Sequence, residues 1–444
     1  MRRVAVHGLA LTGAAVARAL VARGIDVVLA DDRIDDGHRA LAAETGATLH
    51  DSSTAEGVAA LLDGVDTLMP APGVPPRHAT IVTALASGIR VRTEIDVAYE
   101  WEQARPGGPR PILGVTGTDG KTTTTMIAAH LLRADGRDVA EVGNTDLPFM
   151  AALDASHDAF VVECSSFRLQ YTSVFRCDAS VWLNLAPDHL DWHGDLGSYV
   201  EAKSRLWAHV AGTDVVVAPH GHPTIAPIAE RSGGRVVTFG RDAGDYRVEE
   251  GQLVGPQGPL VAVSELWRSM PHDITNSLAA AAMVVESGMC PGGSVTGPLR
   301  DFVPAHHRIE LVGTFDGSEW YDDSKATSPH AALTAIRSFD RLVLIAGGRN
   351  KDLDLRQMAA EPTRVQGVVA IGDDAPLIES AFTNVCPVVR AESMAEAVAA
   401  AASMATPGTA VVLSPGCTSY DWYRNYNERG DDFVRCVRER FGDR

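Results

Sequence analysis

Along most of the chain, short runs of hydrophobic residues alternate with longer segments in which hydrophobic and polar residues are mixed. Short apolar runs, such as Arg3–His7 and Ile112–Thr116, are separated by longer alanine-rich amphipathic segments. A short apolar run predicts a buried strand, and its regular alternation with helical segments is typical of parallel β-α-β sheets. The other strands predicted in this way are 26–30, 160–163, 180–185, 214–218, 342–346, 368–371 and 410–413. The predicted fold class is therefore α/β.

Two breaks in this pattern predict domain boundaries. The segment 104–111 is rich in proline and glycine, which disfavour both helices and strand ladders. A second boundary is expected near 297–305, after a helix that starts around Asn276. A chain of 444 residues is also too long for one compact core. We therefore predict three domains, over residues 1–106, 107–303 and 304–444.

Composition and charge narrow the class of protein. The hydrophobic share of 45% and charged share of 22% are those of a soluble globular chain. A net charge of −18 argues against a general nucleic-acid or anionic-membrane surface. No apolar run reaches the roughly 18 residues of a membrane span, and no signal peptide is expected. Six scattered cysteines without a CxxC pair favour a reduced, cytoplasmic chain.

Lysine is rare in this chain. Only four of the 39 Lys and Arg residues are lysines, namely Lys121, Lys203, Lys325 and Lys351. Codon bias explains the excess of arginine on a solvated surface. A lysine amine, unlike a guanidinium group, can be deprotonated and modified. The four lysines lie in a glycine-rich loop, on an apolar helix face and in two loops that follow strands. These positions indicate an enzyme that binds phosphates and carboxylates.

The segment 114–124 predicts a phosphate-binding loop. A strand leads into Gly117-Thr118-Asp119-Gly120, and Lys121 and Thr122 then open a helix that runs to about Arg133. Glycine lets backbone N–H groups converge on phosphate oxygens, and the helix N-terminus favours the negative charge. Lys121 is predicted to hold the β- and γ-phosphates, and the Thr122 hydroxyl a Mg²⁺ ion. The alternative is a tight strand–helix turn without a ligand, since Val115 replaces a glycine of the common pattern.

Lys203 lies on an apolar helix face. In the segment 198–210, the residues on that face are Tyr199, Val200, Lys203, Leu206, Trp207 and Val210. One alternative is that Lys203 extends its amine to the rim of the core. The other is a buried amine of lowered pKa that can react or be carbamylated by CO₂.

Carboxylate and imidazole groups follow the strands next to this loop. Glu163 ends one strand, and the next leads into Asp188-His189. Ligands of parallel sheets bind at these carboxyl ends of strands. Oxygen ligands with one histidine suit Mg²⁺ or Mn²⁺ better than zinc. A structural role for His189 is the alternative.

Polar loops also follow strands at the two ends of the chain. In the last third, the loops around Lys325, Lys351 and Ser419 are expected to share one crevice that suits an anionic substrate. Near the start, the segment 8–13 resembles the dinucleotide fingerprint of an NAD-dependent reductase but lacks its middle glycine. The same segment can still hold a diphosphate.

These motifs, in this order, resemble the Mur ligase family of ATP-dependent amide-bond-forming enzymes. The loop from Gly117 to Thr122 resembles the family's Gly-Thr-Asn-Gly-Lys-Thr/Ser, and Lys203 matches its carbamylated lysine. The segments 323–327 and 414–430 are similar to the branch that adds D-glutamate to UDP-N-acetylmuramoyl-L-alanine. The resemblance implies a Rossmann-like N-terminal domain, a central P-loop-type ATPase domain and a Rossmann-like C-terminal domain.

The resemblance also implies a reaction. ATP phosphorylates the substrate carboxylate to an acyl phosphate, and the amine of D-glutamate attacks it, in peptidoglycan precursor synthesis. Catalytic roles fall on Lys121, Glu163, His189 and Lys203, and two Mg²⁺ ions on Thr122, Glu163, His189 and carbamylated Lys203. The implied partners are these small molecules, with no nucleic acid and no membrane insertion, and the implied state is a monomer.

Three further groups of residues have roles by the same resemblance. The implied ATP contacts are Gly117, Thr118, Asp119, Gly120, Lys121, Thr122, Thr123, Asn276, Arg308, Asp323 and Lys325. The implied contacts of the UDP substrate are Leu11, Thr12, Asp31, Arg33, Gly73, Asn144 and Ser165. The implied glutamate contacts are Thr327, Lys351, Ser419 and Tyr426.

Some residues depart from the family pattern and keep other functions open. Asp273 stands where the family has an adenine-contacting asparagine, and a carboxylate cannot donate an amide hydrogen bond. The segment 143–146 and Pro187 also depart. One alternative is a sibling ligase or a folylpolyglutamate synthase that adds another amino acid. An alternative of another class is a non-catalytic ATP-binding regulatory protein.

Overall fold

The computed structural model describes residues 1–350 and 353–442, with the backbone alone at residue 191. The chain divides into two compact units, Met1–Ser269 with Asp273–Phe302, and Met270–His272 with Val303–Arg444. The first unit holds two parallel sheets and a small antiparallel sheet, and the second holds one mixed sheet. The apolar runs form the central strands of the larger sheets, because both faces of these strands are covered by helices.

The first sheet has five parallel strands in the order β3-β2-β1-β4-β5. Its strands are β1 (Arg3–His7), β2 (Asp26–Asp31), β3 (Thr48–Asp51), β4 (Thr67–Pro70) and β5 (Arg90–Val91). Its helices are α1 (Leu11–Ala22), α2 (Asp36–Thr45), α3 (Ala55–Leu62), α4 (Ala79–Ala86) and α5 (Glu94–Gln103). The strand order reverses beside β1, so a crevice for ligands is expected at the carboxyl ends of β1 and β4.

The central sheet has six parallel strands in the order β11-β10-β9-β6-β8-β7. Its strands are β6 (Ile112–Thr116), β7 (Val139–Gly143), β8 (Ala159–Glu163), β9 (Ala179–Trp182), β10 (Val215–Pro219) and β11 (Arg235–Phe239). Its helices are α6 (Lys121–Ala134), α7 (Phe149–Ala152), α8 (Ser166–Leu169), α9 (Leu190–His193), α10 (Leu196–Ser204) and α11 (Ile225–Arg231). The strand β6 lies between β8 and β9, so the loops after these three strands meet at one edge.

A small antiparallel sheet follows, and two helices then end the first unit. The sheet consists of β12 (Arg247–Glu249), β13 (Gln252–Gly255) and β14 (Gly258–Ala262). The helices are α12 (Pro271–Glu286), whose first two residues belong to the second unit, and α13 (Thr296–Asp301). Buried side chains of α6 and α12 share one core cluster with β6, β9 and β10.

The second unit has a six-stranded sheet in the order β15-β16-β20-β17-β18-β19, in which only the pair β15 and β16 is antiparallel. Its strands are β15 (Glu310–Phe315), β16 (Ser318–Asp322), β17 (Leu342–Gly347), β18 (Val365–Ile371), β19 (Val388–Arg390) and β20 (Ala410–Gly416). Its helices are α14 (Pro329–Arg337), α15 (Ala375–Phe382), α16 (Met394–Met404) and α17 (Tyr426–Phe441). The remaining helical turns are 3-10 segments at Arg205–Trp207, Val263–Glu265, Gly292–Val295 and Leu355–Ala359.

All nine predicted strands are present, but several ends differ from the predicted ones, since β18 begins three residues earlier at Val365 and β20 ends three residues later at Gly416. The predicted strand 180–185 stops at Trp182, because the next backbone groups bind the phosphate loop instead of a neighbouring strand. The helix expected around Asn276 begins five residues earlier, at Pro271, which suits the first turn because proline lacks an N–H. The helical face predicted over 198–210 is an α-helix only to Ser204 and continues as a 3-10 turn.

Candidate active site

The loop between β6 and α6 has the geometry of a phosphate-binding loop. Gly120 adopts a φ of 80° directly before α6, and the first turn of this helix has no side-chain cap. A Cβ atom on Gly120 would lie 2.5 Å from Oδ1 of Asn276, so a larger residue does not fit there. Asn276 on α12 therefore packs directly against the loop. Because the N-cap of α6 is a glycine, no N-cap side chain occupies the first N–H groups of this helix, which suit an anion.

Asn184, which the sequence did not single out, holds this loop in place. Its Oδ1 accepts hydrogen bonds from the amides of Thr118 and Asp119, both over 3.0 Å. Its Nδ2 donates to the carbonyl oxygen of Asp119 over 3.1 Å. The sequence carried no signal for this role, because Asn184 falls within the strand predicted over 180–185.

Two lysine amines meet at the loop backbone. Lys121 donates to the carbonyl oxygens of Gly117 and Thr118, over 3.0 and 2.8 Å. Lys203 donates to the same Gly117 oxygen over 2.6 Å, and its amine lies 4.6 Å from the centre of the Tyr199 ring. The predicted P-loop lysine and the predicted reactive lysine thus lie at one point of the loop.

Lys203 is 1% exposed, so the alternative in which its amine reaches the rim is wrong. Burial, and then the charge of Lys121, lower the pKa of the Lys203 amine well below its usual range. Within the part of the chain that the structure describes, Lys203 has no carboxylate within ion-pair distance. A neutral amine is the nucleophilic form that reacts with CO₂, so the site favours carbamylation.

Glu163 has an oxygen atom that suits a cation. Its Oε1 accepts a hydrogen bond from Nδ2 of Asn144 over 2.9 Å. Its Oε2 is buried and has no hydrogen-bond partner among the described residues. A buried carboxylate oxygen without a donor is costly unless a cation or a water molecule satisfies it. The donor set at this sheet edge therefore fits Mg²⁺.

His189 lies at the same edge of the sheet. It has a φ of 52°, which is uncommon for a residue with a side chain, and its Nε2 lies 3.3 Å from Oδ2 of Asp188. Its ring packs against Phe167 and lies edge-on to Tyr199, at centroid distances of 4.6 and 6.5 Å. Because Tyr199 also contacts Lys203, one aromatic ring connects the two proposed metal ligands.

The predicted UDP-substrate residues of the first sheet lie around the carboxyl ends of its strands. Asp31 accepts hydrogen bonds from the amides of Leu9 and Arg33, over 2.8 and 3.1 Å. Leu11 and Arg33 are exposed, as a surface that receives a ligand requires. Gly73 has open space where a side chain would be. These residues thus border one surface of the crevice.

Thr12, Asn144 and Ser165 are engaged by other residues. The Thr12 hydroxyl accepts a hydrogen bond from Arg168 over 3.0 Å. Asn144 contacts Glu163, as described above, and Ser165 caps helix α8 by accepting from the amide of Arg168 over 3.4 Å. Two of these predicted substrate residues, Thr12 and Ser165, therefore contact Arg168, which the sequence did not indicate.

A buried polar network lies next to Asp31 and was also missed. The Nε2 atoms of His7 and His78 lie 3.4 and 3.2 Å from the same oxygen of Asp32. The Nδ1 of His78 accepts from the amide of Thr80 over 3.2 Å, which assigns the proton of His78 to Nε2. Burial lowers the pKa of His7. The two imidazoles therefore orient the Asp32 carboxylate.

The departure at Asp273 has a structural counterpart. Asp273 is fully buried, and Arg268 donates to its two carboxylate oxygens over 2.5 and 3.0 Å. The Arg268 guanidinium also lies 4.7 Å from the centre of the Trp267 ring. The Arg268 guanidinium supplies N–H donors beside the Asp273 carboxylate. The pair can therefore both donate and accept hydrogen bonds, as the side-chain amide of an asparagine does.

In the second unit, the predicted residues cluster at the ends of β16 and β20. Asp323 accepts hydrogen bonds from the Ser414 hydroxyl and the Ile309 amide, over 2.7 and 3.2 Å. Burial raises its pKa to about 7, and the nearby Arg308 charge opposes that shift. The Lys325 amine lies 5.1 Å from the ring centre of Tyr426. The structure thus brings together four predicted residues, Arg308, Asp323, Lys325 and Tyr426.

Arg429 organises the other loops of this cluster. It is 1% exposed and donates to the backbone oxygens of Ser324 and Cys417, over 2.8 and 3.1 Å. Thr327 lies three residues after Ser324, and Ser419 lies two residues after Cys417. The Thr327 amide donates a hydrogen bond to the carbonyl oxygen of Lys325 over 2.9 Å. Lys351 lies outside the described residues.

Comparison with known proteins agrees with this architecture. Sequence models of three domains match the chain: the Mur ligase MurD-like N-terminal domain over residues 2–93, the Mur ligase middle domain over 115–284, and the Mur ligase glutamate ligase domain over 307–417. The chain therefore belongs to the Mur ligase family and has its three-domain α/β architecture.

Several relatives are similar over nearly the whole chain. The UDP-N-acetylmuramoylalanine–D-glutamate ligase of Frankia casuarinae is 39% identical, with 99% of this chain and 94% of the relative covered. The enzymes of that name from Thermobifida fusca and Streptomyces coelicolor are 36% and 34% identical, with 98% and 99% of this chain and 98% of each relative covered.

Solved structures with low sequence identity share the fold. UDP-N-acetylmuramate-alanine ligase MurC from Thermotoga maritima has a TM-score of 0.61 at 17% identity, with 99% of this chain and all of that chain covered. MurF ligase from the same organism, in complex with ADP, has a TM-score of 0.58 at 17% identity, with 85% and 95% covered. Among the described residues, no helix combines the length and apolar character that a bilayer crossing needs.

Proposed function

We propose that this protein joins D-glutamate to UDP-N-acetylmuramoyl-L-alanine at the expense of ATP, through an acyl phosphate, in peptidoglycan precursor synthesis. The observation that carries the proposal is full-length similarity to D-glutamate ligases, together with Lys121 and Lys203 on one phosphate-loop carbonyl. The proposed domains are 1–106 for the UDP substrate, 107–303 for ATP and 304–444 for the amino acid. We expect a cytoplasmic monomer whose partners are these small molecules.

The phosphate loop activates the substrate carboxylate. A carboxylate is a poor electrophile, and transfer of the γ-phosphoryl group converts one of its oxygens into a leaving group. The N–H groups at the start of α6 and the Lys121 amine bind the phosphates, so they offset the repulsion between two anions. Thr118, Asp119, Thr122 and Thr123 complete this binding surface, and Asn276 borders it at Gly120.

Four residues are proposed to hold Mg²⁺. They are Thr122, Glu163, His189 and Lys203, the last as a carbamate. Bound Mg²⁺ supplies positive charge that lowers the cost of bringing phosphate and carboxylate oxygens together. The Oε2 of Glu163, which has no partner among the described residues, and the buried Lys203 amine, whose pKa is lowered, support this assignment. Carbamylation turns a buried amine into an anionic oxygen ligand, which an arginine cannot become.

The second unit is proposed to bind the incoming amino acid and part of the nucleotide. Arg308, Asp323 and Lys325 are assigned to the nucleotide. Thr327, Lys351, Ser419 and Tyr426 are assigned to D-glutamate, whose two carboxylates need cationic and hydroxyl groups. Arg429 donates hydrogen bonds to Ser324 and to Cys417, which joins the loop around Lys325 to the loop around Ser419 and supports a common binding surface.

A substrate panel tests the proposal. Purified protein is incubated with ATP, Mg²⁺, UDP-N-acetylmuramoyl-L-alanine and one amino acid, and phosphate release and product mass are measured. We expect turnover with D-glutamate and none with L-alanine or meso-diaminopimelate. Turnover with another amino acid alone identifies a sibling ligase or a folylpolyglutamate-type enzyme. ATP binding without any turnover identifies a regulatory protein.

A further inference from the structure

Three metal-ligating side chains converge at the carboxyl ends of strands in the first sheet. His7 is the last residue of β1, Asp32 directly follows β2, and His78 is the N-cap of α4. Their ligand atoms all lie within 4.8 Å of one another, and no other three histidine, cysteine or carboxylate side chains among the described residues do so. The fold of this sheet, and not a local sequence motif, therefore creates the cluster.

The spacing of the three ligand atoms matches that around a tetrahedral transition metal. The Nε2 atoms of His7 and His78 lie 3.4 and 3.2 Å from the same Oδ1 atom of Asp32. A metal ion that binds nitrogen and oxygen at about 2.1 Å holds its tetrahedral ligands about 3.4 Å apart. An ion between these three side chains therefore requires little rearrangement of them.

One hydroxyl group orients both imidazoles from the opposite side. Oγ1 of Thr80 lies 2.9 Å from Nδ1 of His7 and 2.8 Å from Nδ1 of His78. A histidine that binds a metal through one nitrogen usually donates its other N–H to an oxygen acceptor. A hydroxyl oxygen has two lone pairs, so Thr80, which is fully buried, can accept from both rings.

Binding of an ion moves one proton within the His78 ring. Without an ion, Nδ1 of His78 accepts from the Thr80 amide over 3.2 Å, and the proton is on Nε2, which faces Asp32. With an ion on Nε2, the proton is on Nδ1 and faces the nearer Thr80 hydroxyl oxygen, 2.8 Å away. The ring stays neutral, as a metal ligand must be.

The donor set and its exposure select the class of ion. Two imidazole nitrogens and one carboxylate oxygen suit Zn²⁺ and Co²⁺, whereas Mg²⁺ prefers oxygen ligands. His7 is buried, His78 is half-buried and Asp32 is exposed, so an ion can enter from solvent. The solvent side also leaves a fourth position for water.

We propose that His7, Asp32 and His78 bind one divalent transition metal ion of the Zn²⁺ type, with Thr80 as a positioning residue. This site uses none of the residues proposed to hold Mg²⁺, and it does not depend on the proposed reaction. A bound ion connects β1, β2 and α4. It therefore stabilises the folded state, because an ion that binds only the folded chain raises the free energy of unfolding.

The test measures metal binding by the full-length protein after treatment with a chelator. Co²⁺ is added in the presence of excess Mg²⁺, which occupies the oxygen-rich site, and visible absorption and calorimetry are recorded. We expect one equivalent of Co²⁺ with the intense absorption of a tetrahedral complex. Zn²⁺ should displace Co²⁺, because it binds such sites more tightly, and should raise the melting temperature.

Two variants remove a ligand and preserve the local structure. His78→Asn keeps an acceptor at the N-cap of α4, and Asp32→Asn keeps the shape of the side chain. Each should weaken Zn²⁺ binding at least about 100-fold, because losing a residue that only orients a ligand already costs about 10- to 100-fold. Thr80→Val should fall in that smaller range and keep the stoichiometry of one ion.

The matched control is His157→Gln, which removes the imidazole of another histidine–aspartate pair. Nδ1 of His157 lies 3.1 Å from Oδ1 of Asp138, and the described residues place no third ligand beside this pair. Its Zn²⁺ binding should equal that of the wild type. Wild-type protein that binds no Co²⁺, or binding that survives in both ligand variants, would overturn the proposal. Binding that is lost in Glu163→Gln but kept in His78→Asn would place the ion at the other site and overturn it as well.

Discussion

Lys121 and Lys203 donate hydrogen bonds to one oxygen atom, the carbonyl of Gly117, over 3.0 and 2.6 Å. Two cationic amines on one acceptor repel each other, and Lys203 is the more buried of the two. The pKa of Lys203 is therefore lowered by burial and by Lys121. Burial at this shared carbonyl therefore disfavours the charged form of the Lys203 amine.

The first prediction concerns Lys203. Lys203→Arg should lower turnover at least about 100-fold, because losing a metal ligand costs more than losing a group that supports one. Bicarbonate should not restore activity, since a guanidinium forms no stable carbamate. In the wild type, ¹³C-bicarbonate should produce a carbamate signal in NMR that is absent from the variant. Near wild-type turnover in the arginine variant would remove the carbamate from the mechanism.

The second prediction compares two glycines with left-handed backbone. Gly120→Ala places a Cβ 2.5 Å from Oδ1 of Asn276, whereas a Cβ at Gly136 meets open space. Both residues have positive φ, 80° and 87°, so both alanine variants carry a backbone cost of about 1–2 kcal/mol. Only Gly120→Ala should also displace the loop and lower kcat/KM for ATP about 100-fold. Similar kinetics for the two variants would show that Asn276 does not constrain the loop.

The third prediction concerns Asn184. Asn184→Ala removes three hydrogen bonds to the phosphate loop and should weaken ADP binding at least about 10-fold by calorimetry. Asn184→Asp keeps the two accepting contacts but places a negative charge next to the phosphates. Its ADP binding should weaken most at low salt and partly recover at high salt, because screening reduces the repulsion. A salt-independent loss would argue against proximity to the phosphates.

The fourth prediction concerns pH and the carboxyl group of Asp323. In the folded protein burial raises its pKa to about 7, whereas the unfolded value is about 3.9. The folded state therefore binds a proton that the unfolded state releases, so this contribution to stability is complete below pH about 4 and is lost as pH rises through about 7. The upper limit is roughly 4 kcal/mol.

Asp323→Asn removes this titration. Thermal unfolding of both proteins at pH 5, 6, 7 and 8 should show the variant gaining relative stability as pH rises. A constant difference across that range would mean that Asp323 is ionised in the folded protein. The variant can still accept a hydrogen bond from Ser414, so its fold at pH 5 provides the reference state.

Much of the fold was predictable because it depends on local periodicity. The runs at Arg3–His7 and Ile112–Thr116 became strands with the predicted bounds, since an apolar run in a parallel sheet is covered on both faces. The short strands β12 to β14 were not predicted, because they pair as an antiparallel meander and lack the alternation with helical segments on which the prediction relied. The end of β9 was also missed, since Asn184 binds the phosphate loop and not a strand.

The sequence by itself was sufficient to predict the residues of the phosphate loop and the buried lysine. Gly120, Lys121 and Lys203 were identified because glycine, lysine and an apolar face have local signatures. The tertiary structure alone decided that Lys121 and Lys203 share the Gly117 oxygen, and that Thr93, Arg168 and Trp192 line one pocket. These relationships join residues up to 99 positions apart, from Thr93 to Trp192, and no local pattern records which distant elements pack together. Burial leaves the Thr93 hydroxyl, the Arg168 Nε and the Trp192 Nε1 without partners among the described residues and lowers the pKa of the Lys203 amine. Both effects arise because burial removes the water around a polar group.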